Sequence, residues 1–481
     1  MKTWNVSGEG RCCAGAEILA DELLIDHVVP GEQSVAIGWT NCRTGSGFME
    51  ITPESGEGKA VSQRVDLEQG YGCAEGLEPG AAYTIRLLRE EEGDGAERKV
   101  GPARRFRTGA VPGTVINYIH PDDTTYEFSG RSPASPSIVK LPDGRLVVSH
   151  DVYWGDYGQN LSLIFRSDDD GRTWSFLTHL YPCFWGKLFV HRDELYMLAT
   201  STEYGALQIG KSVDGGETWT APALLLEGGT RERGGPHKAP MPVIVYRDRL
   251  WTSIDYGAWK AGGHKTGLLS APVDADLLDR SSWTVTPFLP YDANWPGAIQ
   301  GGTLPNLLEG NAVVDPTGRL IVIPRYQTSG GVPHYGRTVL LYADVERPEA
   351  PLTFGKVIDF HGNMSKFTVR YDEPSGKYWA LVNRVTGPKA VQRNILTLVC
   401  SRDTENWEIV ADLLDYEHNG WPEDLSLVGF QYVDWIIDGD DILYVSRTAI
   451  NGAYNFHNAN YITFHHIPNF RLSAGEEGAL V

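Results

Sequence analysis

The stretch Ser135–Asp151, SPSIVKLPDGRLVVSHD, decides how the rest of the chain is read. Two apolar runs of strand length flank Leu-Pro-Asp-Gly, in which proline and glycine punctuate the chain and aspartate can bond its own turn. This is a hairpin. The same pattern returns five times: KLFVHRDELYMLAT (187–200), MPVIVYRDRLWTSIDY (241–256), NAVVDPTGRLIVIPRY (311–326), FTVRYDEPSGKYWALVNR (367–384) and YVDWIIDGDDILYVSR (432–447). Recurrence at roughly fifty to seventy residues is the scale of a four-stranded propeller blade with variable loops. After the sixth hairpin one clear strand remains, NYITFHHI (460–467), and VINYIHP (115–121) can supply its missing partner. That pairing closes the ring and removes an open sheet edge. The expected fold class is all-β, a six-bladed β-propeller over residues 111–481, with a seventh, weakly patterned blade as the alternative.

Composition agrees with many short strands and tight turns: 14 Trp, 22 Tyr and 54 Gly among 481 residues, with almost no 3.6-residue periodicity. Residues 1–110 alternate like a small β-sandwich, in LLIDHVV, SVAIGWTN, AVSQRVDL, LEPGAAYTIRLLR and RRFRT, and GAVPGT (109–114) reads as a linker. The net charge of -20 is spread along the chain. No basic run suits nucleic acid or an anionic membrane, so neither is an expected partner. Met1–Cys13 lacks an apolar signal region and no eighteen apolar residues run together, which leads to the expectation of a soluble, cytoplasmic chain. The six cysteines are scattered without metal-site spacing, and no cofactor or metal is expected.

A shorter repeat lies inside the longer one. SDDDGRTW (167–174) reappears as SVDGGETW (212–219), and Ser401, Asp403 and Trp407 form a weaker third copy. Each falls between the third and fourth strands of a blade. The opening of the first strand and the end of the second lie on one face of the ring, so this turn must lie on the other. Its role is therefore structural. The face that can do chemistry carries His150, Asp151, Tyr153, Trp154 and Asp156; Trp185; His237 and Lys238; Asp255 and Tyr256; Glu309, Asn311 and Arg325; Lys366, Asn383, Arg384 and Arg393; Tyr432; and Arg447. Aromatic faces suit sugar rings and arginine forks suit carboxylates.

The short repeats resemble the Asp-box of sialidase-like propellers, and Leu77-x-Pro79 followed by Tyr83 resembles the fibronectin type III pattern. EGNAVVDPTGRLIVIPR (309–325) is similar to the sialidase segment in which a glutamate precedes an arginine by one hairpin. QRNILTLVCSRD (392–403) resembles the segment opened by another arginine, and FQYVDWIIDGDDILYV (430–445) the strand that carries the nucleophilic tyrosine. The resemblance implies Tyr432 as nucleophile, Glu309 as its base, Asp156 as acid/base, and Arg325 and Arg393 as a carboxylate clamp. The family's first arginine is replaced, because the ungapped match puts Ala134 at its position and Arg131 three residues earlier. The implied activity is an exo-acting glycosidase that cleaves a terminal acidic sugar, or the bond next to one, from an acidic oligosaccharide or polysaccharide, and not a standard sialidase. Two alternatives stand beside it. One is a polysaccharide lyase or rhamnose-glucuronate-cleaving enzyme that uses His150 or His237; the other is a non-catalytic glycan-binding propeller.

Overall fold

The structure, a computed structural model, describes residue 4 and residues 16–42, 44–56, 60–90, 98–154, 158–387, 389–416 and 424–472. Among these the regular elements are β-strands and four short 3₁₀ turns. No helix of the described residues is long and apolar enough to cross a membrane.

Two sheets form the N-terminal region. His27–Pro30, Ser34–Gly38 and Tyr71–Glu75 make one. In the other, Ser46–Pro53 pairs with Val61–Asp66 and with Ala82–Arg89, which in turn pairs with Arg104–Arg107. Alternation along Ser46–Pro53 and Ala82–Arg89 sends Met49, Ile51, Ile85 and Leu87 inward, where they meet Trp39 and Phe106. The Tyr83 hydroxyl accepts the Glu78 N–H at 2.9 Å and fixes the turn that precedes its own strand. A fully buried ion pair keys this region to the rest of the chain: Arg104 Nε meets Asp123 at 2.7 Å, with the guanidinium over the Tyr126 ring.

From Thr114 onward the chain builds a ring of six blades. The first is Ser132–Lys140, Leu146–Tyr153, Leu161–Ser167 and Ser175–Leu180; the second is Phe184–His191, Glu194–Thr200, Leu207–Ser212 and Ala223–Leu226. The third has a broken first strand, Gly235–His237 and Ile244–Tyr246, followed by Arg249–Ala258, Gly263–Pro272 and Thr284–Val285. The fourth comprises Thr303–Val314, Leu320–Ser329, Arg337–Tyr342 and Thr353–Asp359, and one parallel bridge, His264 to Asn306, joins it to the third. The fifth is Thr368–Asp372, Lys377–Asn383, Ile395–Ser401 and Glu408–Asp415. In the sixth, Gly429–Asp438, Asp441–Ala449 and Tyr461–Ile467 are completed by Thr114–Tyr118 from the other end of the ring. The molecule is thus an all-β protein with a six-bladed propeller, closed by the strand at Val115.

One irregularity recurs in the innermost strands and determines the site. Blades 1, 2, 4 and 6 each carry a bulge there, between Ala134 and Ser137, Phe184 and Lys187, Leu308 and Asn311, and Gln431 and Asp434. At each bulge a residue other than glycine takes positive φ: Ser135 (47°), Trp185 (54°), Glu309 (53°) and Tyr432 (55°). Such a conformation costs roughly 1–3 kcal/mol and persists where the surroundings over-determine it. In two cases the holding group is visible. Asp151, near the end of a second strand, accepts the Trp185 N–H of the next blade at 2.8 Å, and Ser162 Oγ occupies its other oxygen at 2.6 Å. Asp255 repeats this one blade pair further on, accepting the Glu309 N–H at 2.7 Å and the Thr266 hydroxyl at 3.0 Å.

The repeated turns lie at the far ends of the blades from these bulges. In the first, Ser167 Oγ accepts the Gly171 N–H at 2.8 Å, Asp169 takes the Thr173 N–H at 2.9 Å, and the Trp174 indole donates to the Gly171 carbonyl at 3.2 Å. Ser212, Asp214, Gly216, Thr218 and Trp219 reproduce the same bonds. At Gly171, where φ is 85°, a side chain would strike Phe464 of the neighbouring blade.

Candidate active site

The bulges of blades 4 and 6 present Glu309 and Tyr432 to a common point above the ring's channel. Arg325, on the second strand of blade 4, joins them: its Nη1 donates to Glu309 Oε2 at 3.1 Å and to the Tyr432 hydroxyl at 3.3 Å. Its Nε donates to Gln327 at 3.0 Å, which fixes the plane of the guanidinium. Two further arginines face the same ring. Arg393 lies 5.4 Å and Arg447 5.3 Å from the Tyr432 ring centroid. Arg393 donates to the Gln431 side chain, and Arg447 donates to the His457 carbonyl and lies over Tyr153. All three guanidiniums are buried.

The charges follow from this crowding. Burial pushes the Glu309 carboxyl up, but Arg325 and His237 beside it and hydrogen bonding with Tyr432 and Arg325 outweigh that, leaving it below the ordinary carboxylate value. It is a carboxylate at neutral pH. Burial and the Glu309 charge raise the Tyr432 phenol, against the pull of the three arginines. Burial and its neighbour Arg325 bring Arg393 down to about 10, and burial lowers Arg447 as well. A cluster of three cations faces one carboxylate, so the site has room for a second negative charge.

A second group of side chains borders the first. Asp255, which holds the Glu309 backbone, also sits 3.1 Å from His237 Nδ1. The His237 ring lies 4.3 Å from Trp185 and 5.0 Å from His264. His264 is held neutral, its burial bringing it down to about 3, between Tyr204 and Asn306. Trp154 packs on exposed Tyr454 at 4.3 Å.

The sequence-derived residues divide accordingly. Tyr432, Glu309, Arg325, Arg393 and Arg447 come together, and His237 and Trp185 stand beside them. Lys238 is buried, and its ammonium donates to the Ala239 carbonyl. Arg384 is turned to the outer strand of its own blade and paired with Asp412. His150 is corrected: its ring is fully buried, stacked on Phe165, with its nitrogens on Asn117 and the Asp151 carbonyl. Successive residues of a strand point to opposite faces, so it is Asp151 that faces the bulge, and His150 is directed between blade 1 and the closing strand of blade 6. Asp156 lies outside the described residues. Ala134 is buried, and Arg131 is paired with Glu127. Gln431, His264, Tyr204 and His457 were not anticipated; only Gln431, beside Tyr432, had a neighbour that could have marked it.

No protein-family model matches the chain, and no curated protein matches it by sequence. Among solved structures, it is similar to a Hadza microbial sialidase (12% identity, 94% of this chain and 95% of that chain, TM-score 0.49). It is also similar to an α-L-arabinofuranosidase from Fusarium graminearum (13%, 74% and 98%, TM-score 0.48). A third is an ulvan lyase (12%, 94% and 94%, TM-score 0.43).

Proposed function

We propose that the protein is a carbohydrate-active enzyme, a retaining glycosidase that removes an acidic sugar, with Tyr432 as nucleophile. The supporting observation is the bridge in which one Arg325 nitrogen contacts both Glu309 and the Tyr432 hydroxyl. A phenol is a poor nucleophile until its proton has a destination, and the ionised Glu309 supplies one. As the Tyr432 oxygen bonds to the anomeric carbon, its proton passes to Glu309. The bond to the leaving oxygen breaks, and that oxygen takes a proton from an acid. Asp156 is the sequence-derived candidate for that acid. Water then attacks the glycosyl-tyrosine, giving its proton back to the acid, and Tyr432 recovers its own from Glu309. Arg393 and Arg447, with Arg325, hold the sugar carboxylate.

A second reading is favoured by one feature, the His237–Asp255 pair in the same pocket. A histidine oriented by a carboxylate can abstract the proton beside a uronate carboxylate and eliminate the glycosidic oxygen. The products separate the readings. Incubation with sialylated and with uronate-containing oligosaccharides should release a free acidic sugar with no ultraviolet absorbance. An unsaturated uronate would favour His237. Replacing Tyr432 by Phe should abolish turnover and leave glycan binding within a fewfold, whereas a protein that only binds glycans shows no turnover to lose.

A further inference from the structure

The same inner strands that raise Glu309 and Tyr432 at one end of the ring wall a second cavity at the other. It has a volume of about 840 Å³ and opens on the face that carries the repeated turns. Its walls are apolar, among them Val190, Val243, Val313 and Ile436, and its rim exposes Val245 and Tyr371. Its floor is charged. Lys187, on the bulge of blade 2, and Arg370, on blade 5, line the cavity, together with Lys140 and Asp315, which are paired with Asp438 and Arg319.

These two cations share one carboxylate. Asp434 accepts from the Lys187 ammonium, from Ser137 Oγ at 3.1 Å and from the Ile138 N–H at 3.0 Å, all through Oδ2. Its Oδ1 has no hydrogen bond and meets Arg370 only at 3.8 Å. Lys366 and Lys238 lie just above, where Lys366 donates to the Val433 carbonyl at 2.7 Å and Lys238 to the Ala239 carbonyl at 3.0 Å. Buried Lys187, Lys366 and Lys238 and half-buried Arg370 therefore surround Asp434, and Asp255 is the carboxylate that Lys238 feels most. Burial brings Lys366 down to about 8 and Lys238 to about 7. Lys238 and Lys366 can relieve the cost of their burial by losing a proton, but Arg370 stays charged beside the Lys187–Asp434 pair, and an apolar funnel leading to that charge selects an anion with an apolar body.

We propose that this cavity is a binding site, separate from the catalytic pocket, for a small amphiphilic anion whose carboxylate or phosphate head meets Arg370 and Lys187 while its apolar part fills the funnel. Nothing in this depends on the glycosidase reading.

Octanoate is the probe, with 1-octanol and acetate as controls, in titration calorimetry on the full chain. One octanoate should bind per chain, at least tenfold tighter than either control. Arg370→Met should weaken it at least tenfold. Val245→Glu, on the exposed rim where folding is not at stake, should weaken it severalfold by setting a charge against the apolar chain and at the entrance the anion must pass. Arg393→Gln, in the opposite pocket, should leave it unchanged. The proposal fails if octanoate does not bind, if 1-octanol binds equally well, if Val245→Glu changes nothing, or if Arg393→Gln abolishes binding.

Discussion

Replacing Asp255 by Ala separates positioning from folding, because the chain carries its own control in Asp151. Each aspartate accepts the N–H of a positive-φ residue on the next blade and a hydroxyl on its own. Loss of either leaves a buried amide without an acceptor, a cost of about 1–3 kcal/mol, so both variants should unfold at lower denaturant. Their catalytic consequences should differ. With Asp255 gone, the bulge that holds Glu309 at φ 53° can relax, releasing strain of roughly 1–3 kcal/mol. If the Glu309 carboxylate then leaves Tyr432, the loss reappears in the barrier, about 10- to 100-fold in kcat. With Asp151 gone, the freed residue is Trp185, which takes no proton, and kcat should stay within about threefold. The assay is turnover of a 4-methylumbelliferyl glycoside of the acidic sugar, alongside urea unfolding of the same preparations. Equal kcat losses in the two variants, or a destabilised Asp255→Ala protein with unchanged kcat, would refute the coupling of Asp255 to Glu309.

Two further outcomes concern stability. Burial, only partly offset by bonds from Ser162 and Trp185, raises the Asp151 carboxyl to about 7. The folded state therefore holds this proton more tightly than the unfolded chain. Its stabilising contribution is full below about pH 4 and is lost as pH rises through 7, a contribution on the order of 4 kcal/mol. The difference in unfolding free energy between wild type and Asp151→Asn should follow that slope, and a pH-independent difference would contradict it. In the repeated turn, Asp169→Ala removes bonds to Thr173 and Ser167 and should cost about 1 kcal/mol without changing kcat. A large loss of kcat would mean that the turn communicates with the pocket.

What the sequence revealed and what it hid have one cause. Hairpin turns, the repeated turn and the closing strand are local patterns, so the six hairpins from Ser135 to Arg447 and the strand at Val115 could be counted directly. Glu309, Arg325, Arg393 and Tyr432 were named from the resemblance of their segments to those of sialidases, and they do lie together around the Tyr432 ring. Side-chain direction was less legible. Strict alternation predicts it only where the pairing is regular, and the bulges at Ser135, Trp185, Glu309 and Tyr432 reverse it in the strands that line the site. His150 and Asp151 were both read as pocket residues, although on a regularly alternating strand only one of the two can face it. Lys187, Lys366 and Asp434 belong to three different blades, and no spacing within one blade links them. Arg447 was visible as a pocket residue, but its place over Tyr432 depends on the neighbouring bulge.

Retaining hydrolysis at this site requires Tyr432 to bond covalently to the sugar. A fluorinated acidic glycosyl fluoride, which forms such an intermediate quickly and releases it slowly, should add one sugar mass to the protein. Peptide mass spectrometry should then place it on the peptide that contains Tyr432, with no adduct in Tyr432→Phe and little in Glu309→Gln. Turnover of the same sugar's natural glycoside with no adduct on Tyr432, or an adduct on another residue, would contradict it.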